Sequence, residues 1–138
     1  MAPARDFIGA KVMVFAGDRL LVLRRDHTPG IPWPGKLDFP GGGREGTEDA
    51  ATCVLRETFE ELCLRLDPTR LRFVENRVAR GSHGVFFAYH GPLALLDQAR
   101  FGGEGDGWGD MAPMDYVNSP DAIPPFAAIL GRYLSDIE

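Results

Sequence analysis

Glu57, Glu60 and Glu61 stand at i, i+3 and i+4 in a stretch, Thr47 to Leu64, that contains neither Gly nor Pro. On a helix that spacing turns all three carboxylates toward one side. Glu48 and Asp49 add two more acids, and Arg56 is the only basic residue between Glu48 and Leu64. Like charges at this spacing destabilise a helix by roughly 0.2–0.5 kcal/mol per pair, so the cluster points to a bound cation. Carboxylate oxygens with no Cys or His at ligand spacing suit a hard ion, Mg²⁺ or Mn²⁺, rather than Zn²⁺. The competing reading is a solvated acidic helix face, and the surrounding residues decide between the two.

Those surroundings predict a scaffold of strands, helix, strands and helix. Phe7 to Ala16 and Arg19 to Arg25 are apolar runs around Gly17-Asp18, the pattern of a β-hairpin. Asp26 to Lys36 holds Pro29, Gly30, Pro32, Pro34 and Gly35 and is expected to be a loop. Leu37-Asp38-Phe39 is a short strand stopped by Pro40 and the turn glycines Gly41, Gly42 and Gly43. Thr47 is the expected N-cap of the acidic helix, with Glu48 and Asp49 in its first turn. Ala51, Val54, Leu55, Thr58, Phe59 and Leu62 recur at helical spacing as its buried face. Leu71 to Arg80 and Val85 to His90 are two further strands, Gln98 to Gly109 a glycine-rich loop, and Met111 to Val117 a strand or turn. Pro124 to about Ser135 is a terminal helix with Pro near its first position. The expectation is one mixed α/β domain over residues 1–138.

Composition narrows the function. The chain has 138 residues, 44% of them hydrophobic and 25% charged, with a net charge of -5. Its longest basic run is Arg24-Arg25, so no patch suited to a nucleic-acid polymer is present. A small anionic substrate remains compatible with an acidic site once a divalent ion reverses the local field. No stretch reaches the ~18 apolar residues of a membrane span, and no signal peptide is evident; a cytoplasmic location is expected. Cys53 and Cys63, ten positions apart, would lie about 15 Å from each other on one helix, too far for a disulfide, and are expected to be buried free thiols.

Gly42, Glu48, Arg56, Glu57, Glu60 and Glu61 carry a resemblance. With Thr58, Phe59, Leu62, Cys63 and Leu64 they closely resemble the Nudix box, Gly-x5-Glu-x7-Arg-Glu-U-x-Glu-Glu-x-Gly-U with U a large aliphatic residue, over Gly42 to Leu64. Two positions depart from it: Thr58 stands at an aliphatic site and Cys63 at the glycine. The resemblance implies an α/β/α sandwich around a mixed sheet. It implies hydrolysis of a nucleoside diphosphate linked to a further group, aided by divalent ions. In this chain it makes Glu57, Glu60 and Glu61 metal-binding carboxylates, Arg56 the residue that orients one of them, and Glu48 a contact tying loop to helix. Gly41, Gly42 and Gly43 would shape the loop beside the metal.

A further acid from a later loop sometimes serves as base in this family, and Glu104, flanked by glycines, is the candidate base and additional ligand; the glycines would let its loop swing. Arg24 and Arg25 could hold phosphate. Phe39 and Trp108, with Trp33 and Phe86, could stack on a base. Markers that some subfamilies carry after the box are missing, since Arg80, Gly81 and Ser82 occupy those positions. A nucleoside triphosphate, as in house-cleaning of damaged nucleotides, is therefore the default substrate. The alternative is a Nudix-fold module that senses a nucleotide without turnover. A homodimer is compatible with the sequence.

Overall fold

The computed structural model describes all residues, 1–138. The first hairpin forms as expected. β1 (Phe7–Ala16) and β2 (Arg19–Arg24) pair antiparallel around Gly17, whose φ of 60° suits a residue without Cβ. β3 (Leu37–Asp38) pairs with the far end of β2. β5 (Arg72–Ala79) and β6 (Ser82–Gly91) form a second hairpin, and β6 runs parallel to β1 along its whole length. The main sheet order is β3-β2-β1-β6-β5. The tighter turn of this hairpin is Arg80-Gly81, both at positive φ, rather than the whole of Gly81 to Gly84.

Four elements differ from expectation in kind. Gly41–Gly43 is a strand, β4, which lies antiparallel on Gly9–Lys11 of β1. Glycine suits this site because a Cβ on Gly41 would run into the Ala10 carbonyl and lie 2.7 Å from the Lys11 Cα. The glycine-rich segment ends in another strand, β7 (Trp108–Met111), which pairs with β2. Expecting a loop as far as Gly109 overlooked that glycines with open space around them can sit on an edge strand. Pro113–Val117 is a short helix, α3, with Pro in its first turn, not a strand. A further short helix, α2, spans Leu95–Gln98.

The helices α1 (Ala50–Leu62) and α4 (Pro124–Ile137) lie on opposite faces of the sheet. Alternation along β1 feeds both faces. Ala10, Val12, Val14 and Ala16 join Cys53, Val54 and Leu62 of α1 in one core. Met13 and Phe15 join Tyr116, Ile129, Leu130 and Tyr133 in the other. The result is the three-layer α/β/α sandwich with a mixed sheet. No helix is long and apolar enough to cross a membrane.

Helix α1 starts later than expected. Asp49, not Thr47, caps it, accepting from the Thr52 N–H at 2.8 Å, and no acid lies in its first turn. Glu48 is used elsewhere, as described below. Of the expected buried face, Val54, Thr58 and Leu62 are buried, while Phe59 is 38% exposed under the Arg65 guanidinium. The polar cost of Thr58 is met by its hydroxyl donating to the Val54 carbonyl at 2.7 Å. Cys63 closes the helix at φ 57°, its N–H donating to the Phe59 carbonyl at 2.8 Å. It takes the left-handed cap conformation that glycine usually fills. Cys53 is buried and Cys63 is exposed; both are free. Burial pushes the Cys53 thiol up to about 12.

Candidate active site

Strand β4 and helix α1 face each other, and their contact is where the acids meet backbone. The Gly41 N–H donates to Glu61 Oε1 at 2.7 Å. A Cβ on Gly42 would lie 2.6 Å from the Glu57 carboxyl carbon. Glycine at 41 and 42 thus lets two carboxylates from consecutive turns press against the strand; at Gly43 the space is open, and its carbonyl accepts from Arg56.

Arg56 gathers the rest. Its guanidinium reaches Glu48 at 2.7 Å, Glu60 at 3.0 Å, and Glu57 and Glu45 at 3.1 Å each. The fixed fork of five N–H donors makes one arginine able to serve so many acceptors. Glu48 also accepts from the Glu45 N–H at 2.8 Å, joining the loop before α1 to the helix. The Arg56 hydrogen bond holds the Glu48 carboxyl down at about 2. The three box glutamates do not share one direction, however. Glu57 and Glu61 face β4, while Glu60 is drawn outward onto Arg56 and is 54% exposed. The i, i+4 pair keeps its side of the helix, and the residue between them follows the cation.

Glu61 lines a hollow of about 130 Å³ with Glu104, Asp38, Arg24, Arg25 and Asp26. Burial pushes the Glu61 carboxyl up to about 7, against the Gly41 N–H and Lys11, which favour its charge. Burial likewise raises Glu57. Glu104 arrives from a segment fastened at both ends. Arg100 and Gly102 donate backbone N–H bonds to Leu62 and Glu61 carbonyls at 2.8 Å each. Asp106 donates to the Arg24 carbonyl, and Arg24 to the Gly107 carbonyl, at 2.9 Å each. The His27 ring meets Asp106 at 2.8 Å as well. The expected swinging loop is instead a short span tied to α1 on one side and β2 on the other.

The donor set suits a hard divalent cation: carboxylate oxygens only, with Glu61 and Glu104 lining the hollow and Glu57 one turn earlier on α1 against β4. No three acids stand close enough to form a closed cage; Glu57, Glu61 and Glu104 are the candidates to hold an ion, while Glu60 is engaged by Arg56.

Other expected residues are placed as follows. Arg25 donates to Asp38 Oδ2 at 2.9 Å and to the Pro32 carbonyl at 2.8 Å. Arg24 is engaged by the Gly35 carbonyl and Asp121, so its guanidinium points toward the 26–36 loop. Phe39 is no stacking platform. It is fully buried, with ring centroids 5.0 Å from Tyr116 and 5.2 Å from Phe126; a side chain alternating with Asp38 must enter the α4 core. Trp108 lies off the acid hollow, because β7 pairing with β2 packs it against the α1 core and beside a separate groove with Arg24 and Leu37. Sequence reasoning missed Lys11 and Asp38, which form an ion pair at 3.0 Å. The available signal was a lysine inside an apolar strand, a position that calls for a counter-charge.

Comparison with known proteins agrees with this fold. The NUDIX domain family model matches residues 6–130. No match is found among curated proteins. Among solved structures, a MutT protein from Methanosarcina mazei Go1 superposes with a TM-score of 0.76 at 18% identity, covering 99% of each chain. A MutT NUDIX hydrolase from Burkholderia pseudomallei gives 0.68 at 20% identity over 95% of this chain and 98% of its own. A C. elegans Ap4A hydrolase binary complex gives 0.66 at 17% identity over 94% and 96%. At these identities the likeness is one of fold. Nudix hydrolases act on nucleoside diphosphate derivatives and generally use divalent cations. An acidic helix held by one arginine, a glycine strand pressed on its carboxylates and a family match over most of the chain lead to one conclusion: this protein belongs to the Nudix family and is a hydrolase of pyrophosphate bonds.

Proposed function

We propose that the protein cleaves a phosphoanhydride bond of a nucleoside triphosphate with Mg²⁺ or Mn²⁺ bound at Glu57, Glu60, Glu61 and Glu104. The observation that carries this is the hollow where half-buried Glu61 and loop-borne Glu104 meet Arg25 and Asp38. When bound, the divalent ion neutralises the diphosphate oxygens that would otherwise repel a nucleophile. Arg25 stands at the mouth to orient phosphate, its guanidinium fixed by Asp38 and the Pro32 carbonyl. Glu104 takes the proton of the attacking water, placed by a span too short to drift. Arg56 keeps Glu57 against β4 while Glu48 anchors Arg56 itself.

For the base, the α4 face of the sheet offers a slot of about 160 Å³ whose apolar half is formed by Ile8, Ala79, Val85, Phe86 and Phe126, with Lys11, Arg77 and Ser82 also at its wall. Phe86 and Phe126 meet edge to face there, with centroids 5.0 Å apart. A slot with an aromatic and aliphatic wall and a few polar groups suits a nucleobase. A sensing module without turnover is disfavoured by the complete acidic set.

A panel of nucleoside triphosphates and diphosphate-linked compounds, scored by product mass with Mg²⁺ or Mn²⁺, tests this function. Release of a nucleoside monophosphate and pyrophosphate supports it; no product from any nucleotide overturns it. Glu104→Gln should lower kcat by about tenfold or more, roughly 1.4 kcal/mol of barrier, at nearly unchanged KM. Normal turnover in that variant would remove Glu104 from the base role.

A further inference from the structure

Lys11 is a charged side chain that the scheme above leaves idle. It sits on β1 with its side chain 19% exposed. Its ammonium donates to Asp38 Oδ2 at 3.0 Å, and more distantly to the Gly41 and Phe39 carbonyls at 3.2 and 3.4 Å. Arg25 donates to the same Asp38 Oδ2 at 2.9 Å, while Asp38 Oδ1 is buried with no partner. Two cations therefore crowd one carboxylate oxygen. Among the acids, Arg25 pairs with Asp38 alone, whereas Lys11 serves both Asp38 and the Glu61 carboxyl.

Facing the Glu61 carboxyl, whose charge it favours, Lys11 links one cavity to the acids of another. Lys11 lines the slot, and its partners Asp38 and Arg25 line the acid hollow. A ligand with its ring in the slot and its reacting phosphates in the hollow must pass its first phosphate across this junction. The long contacts to the two carbonyls are ones that a phosphate oxygen can replace with a shorter, charge-assisted bond.

We propose that Lys11 binds the phosphate adjacent to the nucleoside, with Asp38 as the positioning residue that keeps its ammonium at the junction. The proposal rests on the base entering the Phe86–Phe126 slot. It makes Lys11 a specificity residue for nucleotides over nucleosides, used by substrate and by monophosphate product alike.

Calorimetry with Mg²⁺ and AMP, GMP, CMP or UMP, each beside its parent nucleoside, tests this on the full chain. Lys11→Met should weaken binding of the preferred monophosphate by about tenfold or more, and leave the nucleoside within about twofold. Lys11→Arg should recover most of the loss. Lys11→Gln, which keeps a donor toward Asp38 without the charge, takes the place of Lys11→Met if that variant does not fold, with the same expectation. If Lys11 only neutralises Asp38, the double variant Lys11→Met with Asp38→Asn regains monophosphate affinity; under the proposal it stays weak. Equal weakening of nucleoside and monophosphate, or regained affinity in the double variant, overturns the role of Lys11. Wild-type protein that binds neither ligand overturns the nucleotide slot itself and is recognised by that result alone.

Discussion

Glu61→Gln is expected to do two opposite things, stop turnover and stabilise the metal-free protein. Under the proposed metal role, replacing the anionic carboxylate by a neutral amide weakens the hold on the ion that offsets diphosphate charge, so kcat should fall by about a thousandfold. The second effect follows from the carboxyl being pushed from its ordinary 4.5 up to about 7 by burial. Between those values the folded protein binds more protons than the unfolded chain, so stability falls as pH rises through this window. Above about pH 7 the full cost of the buried charge is present, about 1–3 kcal/mol once partial exposure is allowed for. Glutamine keeps an acceptor for the Gly41 N–H and carries no charge. Thermal melts in EDTA at pH 8 should therefore show the variant above wild type by several degrees, with the gap closing toward pH 4.5. Mg²⁺ should raise wild type more than the variant. A variant that melts lower than wild type at pH 8 without metal contradicts the uncompensated buried charge.

The second large effect concerns Arg56. Truncation to Ala leaves Glu45, Glu48, Glu57 and Glu60 without their shared cation and the Gly43 carbonyl without its donor. Residues that orient metal ligands typically carry about 10- to 100-fold in affinity or activity. Arg56→Ala should accordingly lower kcat by about that factor and shift the Mg²⁺ titration to higher concentration. Arg56→Lys should rescue little, since an ammonium cannot fork toward acceptors on both loop and helix. Lysine performing as well as arginine would show that charge alone, and not the fork, holds the cluster.

The sequence made α1 and its acids legible because their contacts are local. Glu57 and Glu61 share a helix side by spacing alone, and Arg56 lies within reach of Glu60 by the same rule. Glu60 departed because the spacing rule knows nothing of how strongly one arginine competes for it. The Lys11–Asp38–Arg25 junction was hidden, since Asp38 is 27 positions from Lys11 and 13 from Arg25 and no period links them. Phe39 was misplaced as a ligand contact because an aromatic beside a glycine run looks available, whereas strand alternation sends it into the α4 core. β4 and β7 were missed for a common reason. Glycine has low strand propensity, yet both strands are held by pairing to β1 or β2 rather than by their own side chains. α3 went unseen because a helix of five residues leaves no periodicity to detect.

The double fastening of the Glu104 segment turns chain length into a ruler. With Gly102 fixed to the end of α1 and Asp106 to β2, three intervening residues must bridge a set gap. A Cβ on Gly102 would collide with the Glu60 carbonyl, and one on Gly105 would lie 2.5 Å from the Arg24 carbonyl. Inserting or deleting one residue there would shift the acid's reach by up to about 3.5 Å, more than a hydrogen bond can absorb. A substitution at 104 therefore changes the chemistry and leaves the span intact, whereas a change in the count between the two tethers requires rebuilding both.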